Sequence, residues 1–307
     1  MKQLSQFEHS LQDLEWETIY NKLVSYCSTE PGKNYCSNLP TLEFNSIQSQ
    51  IKKISELKLI YQKNDAIQFT GITNITPLLT YVAKNGTLNL KEISDIKKFQ
   101  LACIKIKQFF KVYIEEIYAL KEEYSAIHKL DELQSFLTSA ITDNDELNPF
   151  YFSELKEIND VIFQSKQEIE KKLQGLLLSN DYKIILQEKT FTSRNDRYVI
   201  LIKSNMKGKV KGNIIDISAS GQTIYFEPQS INQQNNSLIV HTRKRNEIIA
   251  KILKKISEKI SQHLEELSDN YSQISYIDFI HAAARLSIRT NSNEPELVSE
   301  KIIQLYN

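Results

Sequence analysis

Across residues 11–137 apolar positions recur at helical spacing, the pattern of amphipathic helices that each bury one stripe. "LEWETIYNKLVSYCS" predicts one helix that stops at "TEPGK", and "NSIQSQIKKISELKLIYQ" predicts a second. "FTGITNITPLLTYVAKNG" reads as a loop and then a short helix closed by Asn85-Gly86, a pair suited to a helix C-terminus. Asn89 followed by Glu92 is a capping-box start for "LKEISDIKKFQLACIKIKQFF". The expectation for this part is a helical bundle.

A polar break, "TDNDELNPF" at 142–150, precedes a different pattern. Leu155, Ile158, Ile162, Ile169, Leu173 and Leu176 alternate at spacings of three and four, with a gap at Ser165. Far downstream the pattern resumes at Ile249, Ile252, Ile256, Ile260, His263, Leu267, Tyr271 and Ile274. Two such seams predict a long antiparallel helix pair, each helix reaching roughly 35–60 Å. The alternative is that each simply joins a larger bundle.

Between them the period changes. "RYVILIK" at 197–203, "NIIDI" and "TIYFEP" are rich in β-branched and aromatic residues. The last two are joined by Ser218, Ala219, Ser220, Gly221 and Gln222, a five-residue connection that reads as a hairpin loop with Gly221 free to take positive φ. The prediction is a small β insert at the end of a long helical arm.

Charge sharpens that picture. Lys+Arg and Asp+Glu balance at 38 each, so no global field attracts nucleic acid or membrane. Locally, residues 189–213 carry Lys189, Arg194, Arg197, Lys203, Lys207, Lys209 and Lys211 against Asp196 alone. The alternating lysines of "KSNMKGKVKGN", placed on a strand, would share one face, and the glycines among them would let backbone approach a ligand. Such a face suits a phosphate backbone and makes binding salt-dependent. The competing explanation is an edge strand protected against aggregation by lysine. Arg243, Lys244 and Arg245 would extend the basic track or simply form a solvated helix face.

Other chemistry finds little support. Ser218 and Ser220 lack a G-x-S-x-G frame and an evident base. Gly32-Lys33 lacks the first glycine of a P-loop, position 27 being Cys, and the Ser or Thr that should follow is Asn34. His9, His128, His241, His263 and His281 form no metal signature, and His263 reads as a packed seam residue. Cys27, Cys36 and Cys103 read as reduced thiols of a cytoplasmic protein. No apolar run approaches a membrane span, and the N-terminus is too polar for a signal peptide.

The stretch "SRNDRYVILIKSNMKGKVKGNIIDISASGQTIYFEPQSINQQNNSL" resembles the second bacterial branch of the MutS family, MutS type two. That branch carries R-N-x-R-Y-V-I-P-V-K, a basic spacer, G-I-V-H-D-x-S-x-S-G-x-T-x-F-I-E-P and an L-N-N motif. The matching residues are Arg194, Asn195, 197–200, Lys203, Gly212, Asp216, Ser218, Ser220, Gly221, Thr223, Glu227, Pro228, Asn235 and Asn236. Leu201, Ile215 and Gln234 depart from the motifs. "LEWETIYNKLVSYCSTEPGK" and "GITNITPLLTYVAKNGTLNLKEI" look like the family's opening core helices.

The resemblance implies a mainly α fold: a core bundle over 1–145 completed by 275–307, lever helices over 150–187 and 236–274, and a β clamp over 188–235. It implies nucleic-acid contacts from Arg194, Arg197, Lys203, Lys207, Lys209 and Lys211, with Ser218 and Ser220 as further phosphate donors. Asp216, Gly221, Glu227 and Pro228 fall to hairpin architecture. The expected partners are DNA, branched or duplex, or the ribosome and its RNA, with a homodimer and no membrane. The expected roles are recombination and repair control or rescue of stalled ribosomes. No cofactor or catalytic residue is expected in this chain. ATP and magnesium belong to an ATPase domain, and endonuclease activity to a further domain, both expected to be absent after "NEPELVSEKIIQLYN". The rival reading is a coiled-coil dimerisation or protein-interaction module; a hydrolase using the serine-rich loop is the third.

Overall fold

The computed structural model describes residues 6–39, 43–63, 65–298, 302 and 304. The rest of the 275–307 segment expected to complete the core therefore lies outside the described residues. The chain divides into two compact units, one of Met1–Glu146 with Lys254–Asn307 and one of Leu147–Leu253.

The first unit contains α1 (Gln6–Asp13), α2 (Trp16–Tyr26), α3 (Glu30–Ser37), α4 (Phe44–Tyr61), α5 (Thr76–Ala83), α6 (Leu90–Val112), α7 (Lys121–Ala126) and α8 (Asp131–Ala140). Leu264–Arg289 forms α12, which packs against α2 to α7. It is buried on more than one face, through Leu267, Ile274, Ile277, Phe279, Ile280, Ala282 and Ala284, as a helix surrounded by others must be. The Asn89–Glu92 capping box is present, with both reciprocal hydrogen bonds at 3.0 and 2.8 Å. Asn85, at φ 60°, supplies the left-handed residue after α5.

The helix before "TEPGK" ends at Tyr26, and "TEPGK" also starts the next one. The Thr29 side chain caps α3 by accepting the Gly32 N–H at 3.0 Å, and Pro31 falls in the first turn, where its missing N–H costs nothing. Asp278, fully buried on α12, accepts the N–H groups of Ser28 and Thr29 at 2.9 and 2.8 Å and the Thr29 hydroxyl at 2.7 Å. Burial pushes its carboxyl above the usual range against these donors.

The second unit opens with α9 (Ser153–Leu178) and the single-turn α10 (Asn180–Lys183). Four antiparallel strands follow: β1 (Leu186–Arg194), β2 (Arg197–Lys203), β3 (Gly212–Ile217) and β4 (Thr223–Pro228), in sheet order β1-β2-β4-β3. Then comes α11 (Asn232–Ser261), whose last residues belong to the first unit. The helix expected over 150–187 therefore ends at Leu178. The one expected over 236–274 is two helices, divided at 262–263, with His263 in the N-cap of α12. The buried seam positions are Leu177 and Ile248 in place of Leu176 and Ile249. Ser165, the gap in the first seam, faces His241 of α11, Oγ to Nδ1 3.4 Å. Ile158 and Val161 share a cavity with Lys244 and Ile248, so α9 and α11 run in opposite directions alongside each other.

In the sheet Ile200 pairs with Phe226 and Ile202 with Ile224, all four buried. Each such side chain contributes roughly 1.5–3 kcal/mol of apolar burial. The strand missed from the sequence is β1. Its residues beyond Leu186 are mostly exposed and polar, so "QEKTFTSR" carries no strand periodicity of its own.

Candidate nucleic-acid interface

The sheet owes its geometry to two turns and one crossing. Asn195 and Asp196, at φ 51° and 59°, form the two-residue turn between β1 and β2, a conformation that Asn and Asp tolerate best after glycine. The expected 218–222 loop joins β3 and β4. Ser218 closes it, its N–H donating to the Thr223 carbonyl at 2.9 Å and its Oγ accepting the Thr223 N–H at 3.0 Å. Gly221 takes φ 71°. The segment 204–211 leaves β2 beside that loop, Ser204 Oγ donating to the Gly221 carbonyl at 2.6 Å. It must then reach the start of β3, where Gly212 pairs with Pro228 at the opposite end of the sheet. The connection thus crosses the length of the sheet, about 20 Å for six residues of strand.

That path decides where the candidate residues lie. Lys203, Ser218 and Ser220 are at one end; Arg194, Arg197 and Lys211 are at the other; Lys207 and Lys209 lie on the crossing. Residues 204–211 are not a strand but a 3-10 turn, Ser204–Met206, followed by turns with Gly208 at φ 89°. Alternation therefore does not place the lysines on one strand face. Gly212 serves the sheet itself, since a Cβ there would lie 2.1 Å from the Glu227 carbonyl oxygen.

The cations differ in their engagement. Arg194 donates through Nε to Asp216 Oδ2 at 2.6 Å and lies over the Tyr225 ring at 5.2 Å. The hydrogen bond raises the arginine pKa and lowers that of Asp216. Arg197 donates to Glu227 Oε1 at 2.6 Å and to Asn236 Oδ1 at 2.7 Å. The Lys203 ammonium lies 3.4 Å from the Ile184 carbonyl. Lys207, Lys209 and Lys211 are exposed, and among the described residues no hydrogen bond or ion pair holds their ammonium groups. Arg243, Lys244 and Arg245 are exposed on α11, Lys244 beside Glu154, Glu157 and Glu247.

Glu227, with a side chain 1% exposed, is the hub that fixes β4 to α11. Its carboxylate accepts from Arg197, from Asn235 Nδ2 at 2.7 Å, from Asn213 Nδ2 at 3.1 Å and from Asn232 Nδ2 at 2.8 Å. Burial opposes its ionisation, but these donors prevail and hold its carboxyl below the usual range. Asn235, fully buried, also exchanges two 3.0 Å hydrogen bonds with the backbone of Tyr198, as a neighbouring strand would. The motif order Glu-Pro then Asn-Asn was visible in the sequence; its role as an anchor was not.

Among the described residues there is no cluster of His, Cys, Asp and Glu able to hold a metal, and no helix is long and apolar enough to cross a membrane. Fold and site together define a helical unit joined in sequence to a helix-borne, four-stranded module with an exposed basic crossing. Compared with known proteins, this chain is MutS2-like. It is 27% identical to an endonuclease MutS2 of Halothermothrix orenii over 97% of this chain and 39% of that protein. It is likewise 27% identical to that of Streptococcus uberis, over 97% of this chain and 38% of the relative, and 28% identical to that of Halalkalibacterium halodurans, over 94% and 38%. The chain thus spans less than two-fifths of the length of these relatives. No family model matches it.

Proposed function

We propose that this chain is the nucleic-acid-gripping region of a MutS2-like protein. The observation that carries the reading is the set of Lys207, Lys209 and Lys211, exposed and unpaired on a connection that crosses a rigidly anchored sheet. Three ammonium groups along such a path match a phosphate backbone, and the Ser218 and Ser220 hydroxyls beside its start add neutral donors. Arg194 contributes through its exposed guanidinium edge, whereas Arg197 acts by holding Glu227 and Asn236. The ligand in this reading is DNA, branched or duplex, in control of recombination, or ribosomal RNA in rescue of stalled ribosomes. The endonuclease activity in the relatives' name, and ATP-driven opening and closing, belong to the parts of those proteins that this chain does not span; α9 and α11 then act as levers in a homodimer.

The test is binding of the whole chain to a four-way DNA junction across a salt series, beside a Lys207→Glu, Lys209→Glu, Lys211→Glu variant. Each phosphate contact contributes about 0.9 to the slope of log affinity against log salt, so the variant should lower that slope by up to roughly 3 with an unchanged melting temperature. Binding that ignores both salt and charge reversal would refute the grip. Competition with ribosomal RNA then separates the two ligands.

A further inference from the structure

A cavity of about 550 Å³ opens in the first unit, where the end of α2, the chain after α4 and the last turns of α12 meet. This is within the size range of small-ligand sites. Part of its polar wall is hydrogen-bonded. Tyr61 and His281 meet at 2.5 Å, hydroxyl to Nδ1, and His281 Nε2 lies 3.2 Å from Ser28 Oγ. Burial raises the Tyr61 hydroxyl pKa, so the hydroxyl holds its proton beside Nδ1. Burial lowers the His281 pKa to about 4, so the ring is neutral, with one nitrogen donating and the other accepting. Ser28 Oγ, beside the other ring nitrogen, is itself on the cavity wall.

The charges on the wall are unbalanced. Arg285 and Arg289, four residues apart on α12, both line it. Among the described residues neither has a carboxylate within ion-pair distance, and the Arg285 guanidinium is held over the Tyr26 ring at 5.3 Å. Two like charges at that spacing on a helix are mutually unfavourable unless an anion lies between them. The one acidic side chain on the wall, Asp65, is already occupied, accepting the Tyr113 hydroxyl at 2.8 Å and the Ala66 N–H at 2.9 Å. Asp278, behind Ser28, has its oxygens taken by the start of α3. The remaining wall is aromatic and aliphatic, from Tyr26, Ile67 and Ile288.

We infer that this cavity binds a small phosphomonoester, its phosphate held by Arg285, Arg289 and the Ser28 hydroxyl and a planar or apolar body set against Tyr26 and Ile67. Two guanidinium groups and one hydroxyl match the three terminal oxygens of a phosphate monoester.

Calorimetric titration of the whole chain with inorganic phosphate, phenyl phosphate and adenosine monophosphate tests this. The expected result is saturable one-to-one binding, tighter for the two ring-bearing esters than for phosphate. Arg285→Ala and Arg289→Ala should each weaken it about tenfold, and the double variant should abolish it. Ser28→Ala should weaken it a few-fold, as one neutral donor is worth. Both arginines are exposed, so the variants should melt like the parent protein, which separates lost binding from lost folding. Absence of binding by all three probes up to about 10 mM, a range that would detect even millimolar affinity, would overturn the assignment. So would binding undiminished in the double variant, or a DNA duplex that competes through the same two arginines more tightly than any of the three.

Discussion

Replacing Glu227 by alanine removes the acceptor for four donors at once: Arg197, Asn213, Asn232 and Asn235. A single hydrogen bond to a charged group is worth about 1.5–3 kcal/mol net, but four sharing one carboxylate are not additive. Removing one partner of a buried ion pair costs about 3–5 kcal/mol, and that is the magnitude expected here. Against the ~5–15 kcal/mol that holds a domain, this brings the second unit close to unfolding. Glu227→Gln keeps one acceptor oxygen but turns an amide N–H₂ toward other donors, so its effect should be about half as large. The assay is hydrogen exchange with urea unfolding, comparing backbone amides of 197–228 with those of α12. Protection should fall in the sheet and persist in α12. The same carboxylate sets an acid limit. Its folded-state pKa is depressed below the ordinary glutamate value of 4.5, so its contribution is complete above that value and is lost as the pH falls through the lower folded pKa. A loss under about 1 kcal/mol for the alanine variant, or acid stability equal to that of the parent, would refute the hub.

Gly32→Ala should destabilise the first unit by about 1–3 kcal/mol, because the new Cβ would lie 2.1 Å from Asp278 Oδ2. Ordinary helix propensity favours alanine by about 1 kcal/mol, so a stabilised variant in a thermal melt would show that this packing yields easily. Cys27 and Cys36 lie Sγ to Sγ 3.3 Å apart, whereas a disulfide needs about 2.05 Å. Diamide should therefore close one intramolecular disulfide, the two thiols losing two protons and two electrons to the diazene, which becomes the hydrazine. Mass spectrometry should find the Cys27–Cys36 cross-link with Cys103 still a free thiol; cross-links through Cys103, or none, would count against the contact.

Much of the helical architecture was legible because it is written locally. The Asn89–Glu92 box, Asn85, the α4 periodicity and the 218–222 hairpin depend on residues a few positions apart, and each is found where its pattern places it. The resemblance to MutS type two was equally legible, since it rests on the order and spacing of short motifs. Local signals also misled. "TEPGK" contains both a stop and a start, and only Asp278, some 250 residues away, holds Thr29 as a cap. β1 is an edge strand whose exposed residues have no buried face to enforce alternation, so its strand character comes from pairing with β2.

The sequence alone determined most of the helical segments, where most of the β residues cluster and that seven basic residues gather around them, because periodicity and composition are properties of the chain itself. The tertiary structure decided how those basic residues are used. The crossing of 204–211 spreads the lysines along the sheet, the Glu227 hub engages Arg197, and His281, Tyr61 and Ser28 meet only when α12 returns to the start of the chain. Contacts across more than two hundred residues leave no periodic trace; burial and the need to satisfy buried polar groups choose them only once the chain has folded.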